Sequence, residues 1–218
     1  MNNASPSALS LPIVALVTDR NLAGGPDALI DAVARAVDNG VNLVQMREKD
    51  LPDAMQLALA QRLREVTNDK ALLFVNDSVS IAEASGADGV QLTENSRSIA
   101  SAHARMARPL LIGRSVHGVD AAREAAAQGA DLLVVGTVYD SPTHPGQPPA
   151  GVGLVGWCAQ PGVPVIGIGG ITAQNAGAVM QAGASGVAVI SAILGSASPA
   201  DAAARLAAAV QTTAVSSA

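Results

Sequence analysis

The feature that most constrains this chain is an alternation. A short apolar run followed by a helical stretch recurs eight times over 218 residues. The runs read as strands: Leu11–Thr18, Asn42–Met46, Ala71–Val75, Gly89–Leu92, Pro109–Gly113, Leu132–Gly136, Val165–Ile168 and Val187–Ile190. The stretches between them read as helices: Pro26–Asn39, Pro52–Asn68, Ser78–Ser85, Ser96–Ala107, Val119–Gln128, Leu154–Ala159, Ala173–Ala182 and Pro199–Gln211. A strand always followed by a helix implies parallel pairing, and eight such strands can close on themselves. The expected fold class is α/β, a single (β/α)8 TIM barrel. An open doubly wound sheet is the rival architecture.

The joints between units support one domain. Asn39-Gly40, Ser85-Gly86-Ala87-Asp88, Gln128-Gly129-Ala130-Asp131 and Ala182-Gly183-Ala184-Ser185 share one format. A helix ends at glycine, then a small polar residue leads into the next strand, as left-handed helix caps require. These joints belong to the stable bottom face of a barrel and have structural roles. Residues 1–10 read as a disordered leader, 11–212 as the barrel domain and 213–218 as a frayed tail. The longer segment Thr137–Gly153, rich in Pro and Gly, reads as a loop over the active face.

Composition excludes several function classes. The chain is 49% hydrophobic, yet no apolar run reaches the roughly 18–20 residues that span a bilayer, so no membrane role is expected. Phe74, Tyr139 and Trp157 are the only aromatic residues and the net charge is −5, which argues against nucleic acid as a partner. Cys158 stands alone, so there is no intrachain disulfide, and a lone thiol in apolar sequence is a core residue. Three scattered histidines, His103, His117 and His144, do not make a three-histidine metal site. The start lacks the basic residues of a secretory signal, which makes the cytoplasm the expected location. Self-association into a homo-oligomer stays open.

In a barrel, the carboxyl ends of the strands converge on one mouth. Those ends carry Gln45, Arg47, Lys49, Asn76, Asp77, Ser115, His117, Ser141, Thr143, His144 and Ser191. At the last two strands, Gly169 and Gly170 expose backbone N–H groups, Thr172 is placed to cap the next helix, and Ser191 ends the eighth strand. Two such adjacent junctions suit a phosphate. Gln45, Arg47 and Lys49 are spaced by two and share one face of an extended strand, a second grip for an anion with several oxygens. The alternative is a solvated strand exit, with Glu48 and Asp50 as local partners. Asp77 suits either a Mg²⁺ ligand or the N-cap of the helix after it.

Seven stretches in order resemble one family: Gln45-Met-Arg-Glu-Lys49, Phe74-Val-Asn-Asp77, Ala87-Asp-Gly-Val-Gln-Leu92, Gly113-Arg-Ser-Val-His117, Gly136-Thr-Val-Tyr139, Ile168-Gly-Gly-Ile-Thr172 and Gly186-Val-Ala-Val-Ile-Ser-Ala192. They look like thiamine phosphate synthase and its relative thiazole tautomerase, over nearly the whole chain after Leu11. The synthase joins hydroxymethylpyrimidine diphosphate to a thiazole phosphate and releases diphosphate by a dissociative mechanism. The resemblance implies that Gln45, Arg47, Lys49 and Asn76 bind the pyrimidine diphosphate, that Asp77 holds Mg²⁺, and that Ser115 contacts the diphosphate. It places Ser141 and Thr143 in a Thr-x-Thr substrate loop, and Gly170, Ile190 and Ser191 around the thiazole phosphate. Arg47, Lys49, Ser115 and His144 are the residues it marks as catalytic.

Two positions depart from the family pattern. The second magnesium carboxylate falls near Ser96, within Thr93-Glu-Asn-Ser96, with Glu94 as the nearby acid. The loop lysine after the second Thr is His144. Both changes weaken the handling of a departing diphosphate, and a tautomerase, with His117 or His144 as its acid/base, would tolerate them. Gln45, Arg47, Lys49 and Asp77 instead favour the synthase. A non-catalytic phosphate-binding relative is the third reading.

Overall fold

The computed structural model describes residues 9–141, 148–160 and 162–216. Eight strands close into a barrel in sequence order: β1 (Ile13–Val17), β2 (Leu43–Met46), β3 (Leu72–Asn76), β4 (Gly89–Leu92), β5 (Leu111–Val116), β6 (Leu132–Val135), β7 (Val165–Ile168) and β8 (Gly186–Val189). Every neighbouring pair is parallel, and β8 pairs with β1 through Ile13↔Gly186 to Leu16↔Val189. The helices are α1 (Arg20–Ala23), α2 (Pro26–Val37), α3 (Asp53–Thr67), α4 (Val79–Ala84), α5 (Ile99–His103), α6 (Val119–Ala127), α7 (Gly153–Trp157), α8 (Ala176–Gln181), α9 (Ser191–Leu194) and α10 (Pro199–Ser216). Among the described residues no helix is long and apolar enough to cross a membrane.

Side chains alternate across each strand. Val14, Leu16, Val44, Met46, Leu73, Val75, Val187 and Val189 point outward and pack under the helices in the larger core. Ile13, Ala15, Val17, Leu43, Phe74, Leu111, Leu132, Val134, Ile166 and Ala188 fill the barrel. Phe74 is fully buried inside it, and glycine opposite makes that position available. A Cβ at Gly89 would lie 2.7 Å from the Phe74 ring. Burying a side chain of this size contributes about 1.5–3 kcal/mol. The inward positions nearer the carboxyl ends are polar instead, namely Gln45, Asn76 and Gln91, all buried.

The repeated joints seal the opposite end of the barrel. The small polar residue before each even-numbered strand accepts a backbone N–H from the first or second residue of the strand preceding it in sequence. Asn42 Oδ1 accepts from Val14 N (2.9 Å), Asp88 Oδ2 from Leu73 N (2.8 Å), Asp131 Oδ2 from Ile112 N (2.7 Å) and Ser185 Oγ from Val165 N (3.4 Å). These strand-end donors would otherwise lack acceptors, so the format satisfies buried backbone as well as turning the chain. Gly86 and Gly183 take φ of +71° and +100°, the left-handed caps expected there.

Several boundaries differ from expectation. β5 continues to Val116, so Ser115 lies within the strand. α5 begins at Ile99 under a Ser98 cap, which leaves Ser96 in a loop. α8 begins at Ala176, so Thr172 does not cap it; instead Asn175 Oδ1 accepts from Thr172 N (2.8 Å) and its Nδ2 donates to Gly170 O (3.0 Å). α10 runs past Gln211 to Ser216. The one-turn helices α1 and α9 carry too little periodic sequence to be read in advance.

Candidate active site

The exit of β2 presents alternating charges. Arg47 and Lys49 are exposed, whereas Glu48 is 4% exposed. The Arg47 N–H donates to the buried Thr18 hydroxyl at 2.9 Å, which fixes the backbone at the mouth. The local pairing of Glu48 and Asp50 with Arg47 and Lys49 is not formed. Arg20 takes both carboxylates: its Nη1 donates to Glu48 Oε2 (2.8 Å) and Asp50 Oδ1 (2.7 Å), and its backbone N to Glu48 Oε1 (3.0 Å). The Arg20 fork holds the Asp50 carboxyl below its usual range, and Asp50, with Glu48, raises the Arg20 guanidinium in turn. The Arg47 side chain has no ion pair or hydrogen bond to any described residue.

Asp77 follows β3 in a left-handed conformation, φ +58°. The helix behind it is capped by Ser78, whose Oγ accepts from Ile81 N, so Asp77 is not its cap. Its Oδ1 accepts from Thr93 N (3.2 Å) and from the Ser96 hydroxyl, and its Oδ2 from Asn76 Nδ2 (2.7 Å). Lys49 Nζ stands 3.8 Å from Oδ2. Ser96 therefore occupies the place beside Asp77. Glu94 turns away, its Oε2 3.7 Å from His117 Nε2. Arg114 holds this loop by donating to the Glu94 and Arg97 carbonyls, each at 3.1 Å. Among the described residues no group of three or more His, Cys, Asp or Glu could hold a metal. A carboxylate with one lone pair to spare still suits Mg²⁺, which is commonly held by one or two carboxylates and completed by substrate phosphates.

Deeper in the barrel, Gln45 Nε2 donates to Asn76 Oδ1 (3.1 Å) and Gln91 Nε2 to Ser115 Oγ (3.0 Å). These bonds fix amides and a hydroxyl that face the cavity. Across the mouth lies the glycine turn. Gly169 and Gly170 take φ of +103° and +61°. A Cβ at Gly170 would fall 2.3 Å from the Asp140 carbonyl, so the β6 loop and the turn fit only without a side chain there. The backbone N–H groups of Gly170, Ile171, Ser191 and Ala192 have no acceptor among the described residues. They form a donor cup of the kind that binds phosphate.

One cavity of about 630 Å³ joins these parts. Gln45, Arg47, Asn76, Ser115, Ser141, Gly170, Ile190 and Ser191 all line it, with Arg47 and the cup on one mouth. Lys49 and Asp77 line a neighbouring cavity of about 470 Å³ that shares Asn76 with the first. Thr143 and His144 lie outside the described residues. His117 lines the main cavity, its Nδ1 donating to Gly136 O at 2.6 Å. Cys158 is buried, and burial pushes its thiol up, opposite to what a nucleophile needs.

The family model described as thiamine monophosphate synthase matches residues 14–193. The chain belongs to the thiamine monophosphate synthase family. A putative thiamine-phosphate synthase of Geobacter sulfurreducens is 43% identical over 187 residues, 84% of this chain and 87% of that protein. The thiamine-phosphate synthase of Roseiflexus castenholzii is 39% identical, covering 89% of this chain and 90% of its own length. The chain spans only 51% of the Gloeobacter violaceus thiamine-phosphate synthase, at 44% identity. Among solved structures, thiamine phosphate pyrophosphorylase from Pyrococcus furiosus has a TM-score of 0.83 and 32% identity, covering 92% of this chain and 96% of that one. A 3-hexulose-6-phosphate synthase, at 21% identity and a TM-score of 0.70, shares the fold.

Two elements of the family mouth escaped sequence reasoning. Thr18 and Arg20 directly follow β1, and the rule about strand carboxyl ends includes them. Their partners, however, are some 28–30 residues away, a tertiary fact. Gln91 carries no charge and reads as part of a buried strand.

Proposed function

We propose that this chain is a thiamine-phosphate synthase, joining hydroxymethylpyrimidine diphosphate to a thiazole phosphate and releasing diphosphate. The observation that carries the reading is a single cavity with two anion grips of different kind. Among the described residues, Arg47 offers a guanidinium without a partner on one side, and the β7–β8 turns offer N–H groups without an acceptor on the other. Two phosphorylated substrates held this way bring a carbon and a nitrogen together, the positioning contribution to rate. The relatives named above carry the synthase name, which favours this reaction over tautomerisation.

In the reaction the methylene carbon–oxygen bond of the pyrimidine breaks and its electron pair leaves on diphosphate. The thiazole nitrogen then bonds to that carbon. Arg47 and Lys49 stabilise the charge gathering on the leaving group, and Ser115, its hydroxyl already fixed by Gln91, donates to it. Gln45 and Asn76 orient the pyrimidine. Gly170, Ile190 and Ser191 hold the thiazole phosphate, with Ser141 in the same cavity; the resemblance adds Thr143 as a substrate-binding residue. By the family resemblance, His144 stands at the sequence position of the loop lysine that handles the leaving group. Asp77 would hold Mg²⁺ together with diphosphate oxygens. The ion supplies charge neutralisation at the departing diphosphate.

The test is turnover of both substrates with purified protein, with and without Mg²⁺. Thiamine phosphate and diphosphate in equal amounts are expected, with loss of product in chelator. Isomerisation of the thiazole ring without thiamine phosphate would replace this reading with the tautomerase.

A further inference from the structure

Four consecutive residues after β2 alternate in charge: Arg47, Glu48, Lys49 and Asp50. Left to themselves they would neutralise one another. The structure separates them. Residues 18–20, at the end of β1, lie alongside and engage both sets. The Thr18 hydroxyl accepts the Arg47 N–H (2.9 Å), and Arg20 engages Glu48 and Asp50 through its backbone N–H and both guanidinium nitrogens. The Arg20 side chain is 15% exposed and that of Glu48 3%, whereas Asp50 is 63% exposed. Glu48 is the buried member, held by the Arg20 backbone N–H and Nη1, and breaking that pair would leave an uncompensated buried charge; Asp50, at the surface, is held by the arginine fork through both guanidinium nitrogens.

We propose that Arg20 is a positioning residue for the diphosphate grip. By sequestering Glu48 and Asp50 it leaves Arg47 facing the main cavity with no carboxylate partner among the described residues, and Lys49 facing the neighbouring cavity with Asp77 as its ion-pair partner. Arg20 lines neither cavity and does not touch substrate; it acts by choosing which side of the β2 exit the carboxylates occupy. Without it, Glu48 and Asp50 compete with the substrate diphosphate for Arg47 and Lys49. The effect falls on binding of the pyrimidine diphosphate and spares the thiazole phosphate cup across the barrel. This rests on the assignment of Arg47 and Lys49 to the diphosphate.

The experiment compares Arg20→Met, Arg20→Lys and the triple variant Arg20→Met, Glu48→Gln, Asp50→Asn by steady-state kinetics, calorimetric binding of pyrimidine diphosphate, and thermal melting. Arg20→Met is expected to raise the KM for pyrimidine diphosphate about tenfold or more while the KM for thiazole phosphate stays unchanged, the mark of lost ground-state binding. Arg20→Lys, which cannot fork, falls between. The triple variant removes the carboxylates along with the arginine and is expected to return KM to within about threefold of wild type. A triple variant that folds yet keeps the raised KM overturns the proposal, because a structural or direct-contact role would not be rescued. Should Arg20→Met not fold, the triple variant decides alone. A wild type that binds no pyrimidine diphosphate overturns the substrate assignment itself. A wild type that binds, with all three variants unchanged, overturns only the role of Arg20.

Discussion

Replacing Arg47 with alanine is the cleanest perturbation the site permits. Arg47 lines the main cavity, is exposed, and pairs with no described carboxylate, so its removal orphans nothing in the protein. The contact that fixes its backbone, N–H to Thr18 Oγ1, survives in the variant. Stability should therefore change by no more than about 0.5 kcal/mol, the usual range for a surface substitution. Binding should change far more. A charge-assisted hydrogen bond is worth roughly 1.5–3 kcal/mol, which weakens pyrimidine diphosphate about tenfold to a hundredfold. Calorimetric titration of that substrate, beside a thermal melt, gives both numbers. An unchanged dissociation constant with an unchanged melt would refute the diphosphate grip, since no other loss could mask the effect.

The other predictions address the remaining parts. Gly170→Ala places a Cβ against the Asp140 carbonyl at φ +61°, so the KM for thiazole phosphate should rise about tenfold or more while pyrimidine diphosphate binding holds. Ser96→Asp puts a second carboxylate beside Asp77. It should lower the melting temperature in chelator by like-charge repulsion and restore it with Mg²⁺ at lower concentrations than wild type requires, a shift read by metal titration of the melt. Asp131→Ala removes the acceptor of Ile112 N and should cost about 1–3 kcal/mol in denaturant unfolding, with kinetics at the mouth unaffected. His144→Lys, which restores the lysine of the family pattern, should raise the single-turnover rate at neutral pH, read as thiamine phosphate formed in a quenched-flow assay.

The barrel was legible because each unit repeats the same pattern, and a parallel arrangement follows from strands joined only through helices. The mouth was legible for a related reason: polar residues are scarce inside this barrel, so Gln45, Asn76 and Ser115 at strand ends stand out. Their partners did not. Asp77 looked equally suited to capping a helix and to holding a metal, and only the positive φ and the Ser78 cap separate those roles. Arg47 and Lys49 read as an anion grip, with Glu48 and Asp50 as alternative local partners, because sequence shows only neighbours along the chain. The actual partner of the carboxylates, Arg20, arrives from the start of α1, just beyond β1. The polar residues of the joints had a structural role by position, but their pairing with an N–H near the start of the preceding strand depends on the register of closure. Lys49 and Asp77, like Arg47, follow strand ends, yet both line the neighbouring cavity rather than the main one.

The central claim is that one mouth holds two phosphorylated groups at separate grips. A crystal structure with thiamine phosphate and diphosphate bound tests it most directly. The account predicts the thiamine phosphate group on the N–H groups of Gly170 and Ser191, and diphosphate against Arg47, Lys49 and Ser115. Both anions on a single grip, or diphosphate bound away from Arg47, would contradict it.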